Sequence, residues 1–400
     1  MDMDRDREDY SLDIKTLTRE ALQAMVEGEW SVHSRDPVYL IKKSWERFSD
    51  DGQPLYPNAL PEVLLSWAGM DLSTPWKPED FLVLDLETTG LGRGNTLAFL
   101  IGLGYYEGDT YTVEQIFLPD PDAELNSFDR LMELLETHSV LVTFNGKTFD
   151  IPVLESRLLY QRLWLNLREK EHLDLLHIAR RLWKNQLPSC ALESLEFYIM
   201  GQIRDKELDI SGGLIPQTYY QYLISGDPEP IRRILLHNQL DVLNTAALFG
   251  IIGNAIAEPV KTGQDPRVDY LAVARLYQSQ GQHETARRIL VDLMAQGFCS
   301  GPSAYELGMV YKREGDLEGA SECFEIASDL EHPASLLELC MILEKRGELE
   351  TAVHRTQTLI NWHQSRPVPD LKRLSEAARR LERLQRKLEA RKAKPRTPNP

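Results

Sequence analysis

Apolar and polar residues along this chain fall into blocks whose period changes twice. Before residue 78 the pattern is weak: an acidic start, MDMDRDREDYSLD, a helix expected over Leu12 to Gly28, and a short helix near Pro61 to Gly69. These residues, 1–77, read as an extension with short helices. From Pro78 the pattern is that of strands. Phe81 to Leu84 is an apolar run of strand length, as in a buried central strand. Thr96 to Tyr106 is a second run and Thr110 to Leu118 a third, joined by a turn at Glu107, Gly108 and Asp109. Asp122 to His138 has helical spacing, with Leu125, Phe128, Leu131 and Leu135 on one side. Val140 to Phe144 returns to strand, and a short strand follows at His172 to Leu175. Helices are expected from Asp150, over Leu187 to Met200, over Gln217 to Ser225 and over Pro228 to Ile252. Three antiparallel-compatible strands, a helix, and a strand able to lie parallel to the first predict an α/β domain with a mixed sheet over residues 78–255.

A linker is expected at 256–266, and beyond it the chain repeats itself. Gly281, Gly315 and Gly347 are 34 and 32 residues apart, and Ala286, Ala320 and Ala352 keep the same spacing. Ala274, Gly308 and Cys340 take the close-packing position of each copy, with Tyr277, Tyr311 and Leu343 nearby. This period resembles the tetratricopeptide repeat, an all-α array of helix pairs, over residues 267–392. Asp370 to Arg391 supplies a capping helix with Leu371, Leu374, Leu381, Leu384 and Leu388 on one side, and 393–400 reads as a tail. The resemblance implies a protein or peptide partner. The Lys and Arg of the last helix read as a solvated face rather than a nucleic-acid contact.

Composition narrows the classes. A net charge of −17 over 400 residues argues against a protein that grips nucleic acid over a broad surface. It still allows an enzyme that takes one strand end at a time. No run approaches the roughly 20 apolar residues of a membrane span, and the acidic start differs from a secretory signal, so a cytoplasmic protein without membrane contact is expected. Cys190, Cys299, Cys323 and Cys340 lack the spacing of a zinc site or a disulfide framework.

The candidate chemistry starts at the end of the first strand. In FLVLDLETTG, Asp85 and Glu87 are two apart, so both emerge on one face of the strand. Two carboxylates at the end of a buried strand repel each other unless a cation compensates them, and magnesium or manganese suits oxygen ligands. In TFNGKTFD, Gly146 permits a tight turn, Asn145 and Lys147 offer donors, and Asp150 opens a helix. His172, Asp174 and His177 fall at a strand-to-helix junction where their spacing converges poorly, so they read as structural. In LLHNQLDVLNTAAL, His237 and Asp241 share a helical face, with Leu236, Leu240, Leu243 and Ala247 toward the core.

Together DLETTG, FNGKTFD and HNQLD resemble the DEDD superfamily of 3′-to-5′ exonucleases, which have a ribonuclease H-like fold, and more closely the bacterial YprB-type ribonuclease H-like proteins. The resemblance implies that Asp85, Glu87, Asp150 and Asp241 hold two divalent ions, Mg2+ or Mn2+, and that His237 is the base. In the superfamily the base is a Tyr four residues before the last Asp or a His five before it; here a His occupies the Tyr spacing. The same resemblance implies that Thr88, Thr89 and Leu91 contact the terminal nucleotide and that Asn145 bonds the sugar-phosphate. The expected activity is hydrolysis of single-stranded DNA or RNA from a 3′ end. Two alternatives stand beside it: a repeat-based adaptor that grips nucleic acid without cutting, and a hydrolase of short oligonucleotides.

Overall fold

The computed structural model describes residues 18–31, 36–90, 96–257 and 268–393. The chain forms two compact units, one up to Asp269 and one from Tyr270 onward.

The first unit opens with helix α1 (18–25) and two strands, β1 (Glu29–Trp30) and β2 (Tyr39–Trp45), then helix α2 (Glu62–Ala68). Next come β3 (Phe81–Thr88), β4 (Ala98–Glu107), β5 (Thr110–Phe117), α3 (Glu124–Thr137), β6 (Val140–Thr143) and α4 (Asp150–Tyr160). The unit continues with β7 (Glu171–Asp174), α5 (Leu175–Trp183), the single turn α6 (Leu192–Leu195), α7 (Ile215–Ser225) and α8 (Glu229–Ala257). The strands make one mixed seven-stranded sheet in the order β1-β2-β5-β4-β3-β6-β7. β3 lies antiparallel to β4 and parallel to β6, and β6 is parallel to β7. A strand flanked by two others and covered by helices buries both faces, which is why Phe81 to Leu84 is continuously apolar.

Part of this departs from the sequence reading. The segment before residue 78 is not merely appended, because β2 pairs with β5 along its whole length, from Tyr39 opposite Phe117 to Trp45 opposite Tyr111. Its YLIKKSW pattern lacks clean alternation because Lys42, Lys43 and Ser44 stay exposed, as befits a strand near the sheet margin. The expected helix over Leu187 to Met200 is shorter: after α6 the turn widens into a π-helical stretch, Glu196–Met200. That widening begins at Glu196, a buried carboxylate drawn to Arg204 and Asn244. A 3-10 turn, Gly212–Leu214, leads into α7.

Helix α8 lies across β3, β4 and β5. It can approach so closely because β4 carries glycines at alternate positions on one face. A Cβ on Gly102 would fall 2.4 Å from Asn238 Oδ1, and one on Gly104 would fall 2.7 Å from Val242 Cγ1. The buried stripe of α8 runs through Leu235, Asn238 and Val242, while Leu236 and Leu240, expected toward the core, are half-buried. By length and composition α8 could cross a bilayer, but 67% of its apolar window is buried in the protein, as in a core helix.

Among the described residues the second unit contains seven helices: α9 (Tyr270–Ser279), α10 (His283–Ala295), α11 (Gly301–Glu314), α12 (Leu317–Asp329), α13 (Pro333–Arg346), α14 (Leu349–Gln364) and α15 (Leu371–Ala393). Gly315 and Gly347 end α11 and α13 in the left-handed region, at φ 85° and 78°. Ala286, Ala320 and Ala352 are fully buried, and Phe324 packs on Gly308. On α15, Leu384 is buried, and Leu374, Leu381 and Leu388 pack against the core. Leu371, grouped with them by its spacing, is 77% exposed because it begins the helix. The linker's residues 258–266 and the last residues of the tail lie outside the described residues.

Candidate metal centre

The site is built from three stretches. β3 carries Asp85 and Glu87 on one face, and its pairing with β4 shifts register between Glu87 and Thr88, a local irregularity of the kind that re-aims side chains. Asp150 is the first residue of α4, buried, and its Oδ1 accepts the Leu86 N–H at 3.1 Å. That bond docks the helix N-terminus on the strand between the two β3 acids. α8 then brings His237, Asn238 and Asp241. Asn238 donates to Asp85 Oδ2 at 2.8 Å, and its Oδ1 accepts from Gln115 Nε2 at 2.9 Å.

Glu87, His237 and Asp241 each offer a ligand atom within 4.8 Å of the others. His237 Nε2 lies 3.6 Å from Asp241 Oδ2 and 3.9 Å from Glu87 Oε1. Its other ring nitrogen, Nδ1, is 2.8 Å from Asp209 Oδ1. A carboxylate only accepts, so Nδ1 carries the hydrogen and Nε2 presents its lone pair to the acids.

Crowding these acids favours their neutral form. Burial, followed by the Asp241 and Asp150 charges, holds the Asp85 carboxyl well above the usual range. Burial and then Asp85 do the same to Glu87. Burial raises Asp150 to about 7 despite the N–H bond from Leu86. Asp241 is also raised by burial, with Arg204 and His237 opposing. Buried, mutually repelling carboxylates with a single imidazole are a donor set that a hard divalent cation fits.

Motif reading does not find Arg204. It comes from the stretch between α6 and α7, bonds Asp241 Oδ1, and grips Glu196 through Nε at 2.7 Å. Its Nη1 also reaches Asp209 Oδ2 at 3.5 Å and lies 3.3 Å from His237 Nδ1. Burial works against this cation, but Glu196 and Asp241 keep it above its ordinary range. Arg204, Asp209 and Glu196 carry no local signature, since their partners lie 5 to 48 residues away in the chain. Asn238 did have a signal: it is a polar residue at a buried position of α8, between Leu235 and Val242.

The other expected site residues are placed as follows. The Thr88 hydroxyl donates to Gly90 O at 2.7 Å, and Thr89 Oγ1 accepts the Leu97 N–H at 3.0 Å, so both close their own turn. Leu91 lies outside the described residues. Asn145 sits in the left-handed region at φ 69°, and its side chain accepts from Thr148 at 2.7 Å. Asp174 accepts the N–H groups of Asn145, Lys147 and Leu176, which ties the turn after β6 to the start of α5. His172 Nε2 is bonded to Thr143 Oγ1 at 2.8 Å.

A mixed sheet whose central strand ends in paired acids, completed by acids from two helices, defines a ribonuclease H-like acidic centre. The family model described as the RNase H superfamily matches residues 82–252. The uncharacterized protein YprB of Bacillus subtilis (strain 168) is 32% identical over 301 residues, covering 72% of this chain and 71% of that protein. The chain belongs to the YprB family, and its residues 82–252 match the RNase H superfamily, a match that supports a nuclease-type hydrolase with a nucleic-acid substrate. Among solved structures, the family B DNA polymerase from the hyperthermophilic archaeon Pyrobaculum calidifontis aligns with 60% of this chain at 14% identity. That alignment spans 29% of the polymerase chain with a TM-score of 0.35, too slight a likeness to bear on activity.

Proposed function

We propose that this protein is a DEDD-type exonuclease that removes nucleotides from the 3′ end of single-stranded DNA or RNA, with two divalent ions, Mg2+ or Mn2+, held by Asp85, Glu87, Asp150 and Asp241. The observation that carries this reading is the meeting of these four acids, from three separate stretches, in one cluster where burial raises every carboxyl and the neighbouring acids add to it at Asp85, Glu87 and Asp150. When bound, the ions supply activation of the attacking water and stabilisation of the charge that builds on the phosphate. His237 takes the water proton on Nε2, while Asp209 holds Nδ1–H and the ring orientation. Asn238 keeps Asp85 turned toward the cluster. The second unit acts as a tetratricopeptide-like platform for a protein or peptide partner.

One observation favours the non-cutting adaptor: Arg204 already pairs with Asp241 and would compete with a metal ion there. The deciding experiment follows nucleotide release from 3′- and 5′-labelled single-stranded DNA and RNA with Mn2+ or Mg2+, comparing wild type with Asp85→Ala. Metal-dependent release that Asp85→Ala abolishes supports the exonuclease, and the label that is lost first gives its direction. Equal background from both folded proteins would support the adaptor instead.

A further inference from the structure

The acidic centre leaves unused a second cleft in the first unit, with a volume of about 540 Å3. It is lined by Trp67 of α2, Lys147 of the turn after β6, His172 of β7, and His177, Arg180 and Arg181 of α5. Lys147, Arg180 and Arg181 are exposed, and among the described residues no acid pairs with them. Asp174 also lines the cleft, with His177 Nε2 4.0 Å from its Oδ2, but its oxygens are spent on three backbone N–H groups. Cations in the last turn of α5 suit the helix dipole, yet that reason does not extend to Lys147, which lies in a turn. In a chain with a net charge of −17, unopposed cations gathered from two elements around one concavity call for an anionic ligand.

Topology says which anion. β3, β6 and β7 are parallel, so the turn carrying Lys147 and the start of α5 open on the same edge of the sheet as Asp85 and Glu87. Ligands of such sheets bind at the carboxyl ends of the strands. β7 is two strand spacings from β3, about 10 Å. Lys147 precedes Asp150 by three residues, so one turn joins the cleft to the acidic centre.

The geometry points to this cleft as the holder of the sugar-phosphate backbone of a single-stranded nucleic acid, a few nucleotides before the end that enters the acidic centre. Trp67, half-buried, offers a face for a base, and the contacts are blind to sequence. The inference rests on the nuclease reading for what happens at the strand end, but its test does not require cleavage. In EDTA, binding of the full chain to a fluorescent oligothymidylate dodecamer is followed by anisotropy across a salt series. Arg180→Ala/Arg181→Ala and Lys147→Ala, checked for folding by circular dichroism, are each expected to bind about tenfold more weakly, with a salt slope shallower by about 0.7 per cation removed. With Mn2+ in place of EDTA, hydrolysis of a dinucleotide, too short to bridge the two sites, is unchanged. Wild-type affinity and slope in the folded variants would overturn the proposal, as would no binding by wild type. Inorganic phosphate competing as well as unlabelled dodecamer would overturn it too, by marking a site for free phosphate. A wild type that binds through these residues yet cuts nothing leaves this cleft standing and removes the exonuclease reading alone.

Discussion

Asn238 and Asp85 are 153 residues apart in the chain, yet the Asn238 amide donates to the Asp85 carboxylate at 2.8 Å. Asn238 is fully buried and its own oxygen is taken by Gln115, so this bond fixes which way the amide faces. Asn238→Ala leaves both a buried carboxylate and a buried amide short of a partner. The expected loss is about 1–3 kcal/mol of unfolding free energy, read from urea denaturation in EDTA. A loss within error would show that the pair is open in solution.

Arg204 is the counter-charge that lets Asp241 and Glu196 coexist without metal. Removing one partner of a buried ionic cluster strands the others, so Arg204→Ala is expected to destabilise the EDTA-treated protein by about 3–5 kcal/mol. Mn2+ should restore part of that loss, because a cation then replaces the guanidinium beside Asp241. Calorimetry with and without Mn2+ measures both. A variant as stable as wild type in EDTA would refute the pairing.

His237 and Asp209 make separable contributions. His237→Ala removes the proton acceptor and is expected to lower kcat about 10²–10⁴-fold. Asp209→Ala removes the group that orients the ring and should cost less, about 10–100-fold, by analogy with partners behind ligating histidines. Steady-state kinetics on a labelled oligonucleotide would establish the order. An Asp209→Ala loss as large as that of His237→Ala would make Asp209 more than an orienting group.

The raised carboxyls give the metal-free protein a definite pH dependence. Asp150 titrates near 7 in the folded chain instead of at 3.8, so between those values the native state holds a proton that the unfolded chain has released. Stability therefore falls as pH rises across that window, and Asp85, Glu87 and Asp241 shift in the same direction. Thermal melts in EDTA should decline from about pH 4 to about pH 7, and saturating Mn2+ should flatten or reverse the trend. A metal-free melting temperature that climbs over this range would contradict the cluster.

The local chain determined a great deal. A buried strand must be apolar on both faces, so Phe81 to Leu84 marks the centre of the sheet, and the acids that end it stand out against that run. The helix-turn spacing of the second unit is legible for the same reason, since each Gly that ends a helix and each small residue that lets helices meet answers to contacts within one or two turns. Tertiary structure alone decided what those acids face. β2 joins the sheet through a partner some seventy residues later, and its lysines hide the alternation that would have announced it. Arg204 and Asp209 enter the site from a stretch with little regular structure, and Glu196 from the π-helical turn before it, which no periodicity reports. α8 turns Asn238 inward because Gly102 leaves room beneath it and Asp85 and Gln115 need its amide. Hydrophobic period is a property of neighbours in the chain, whereas charge compensation belongs to neighbours in space, and that difference separates what could be read here from what had to be seen.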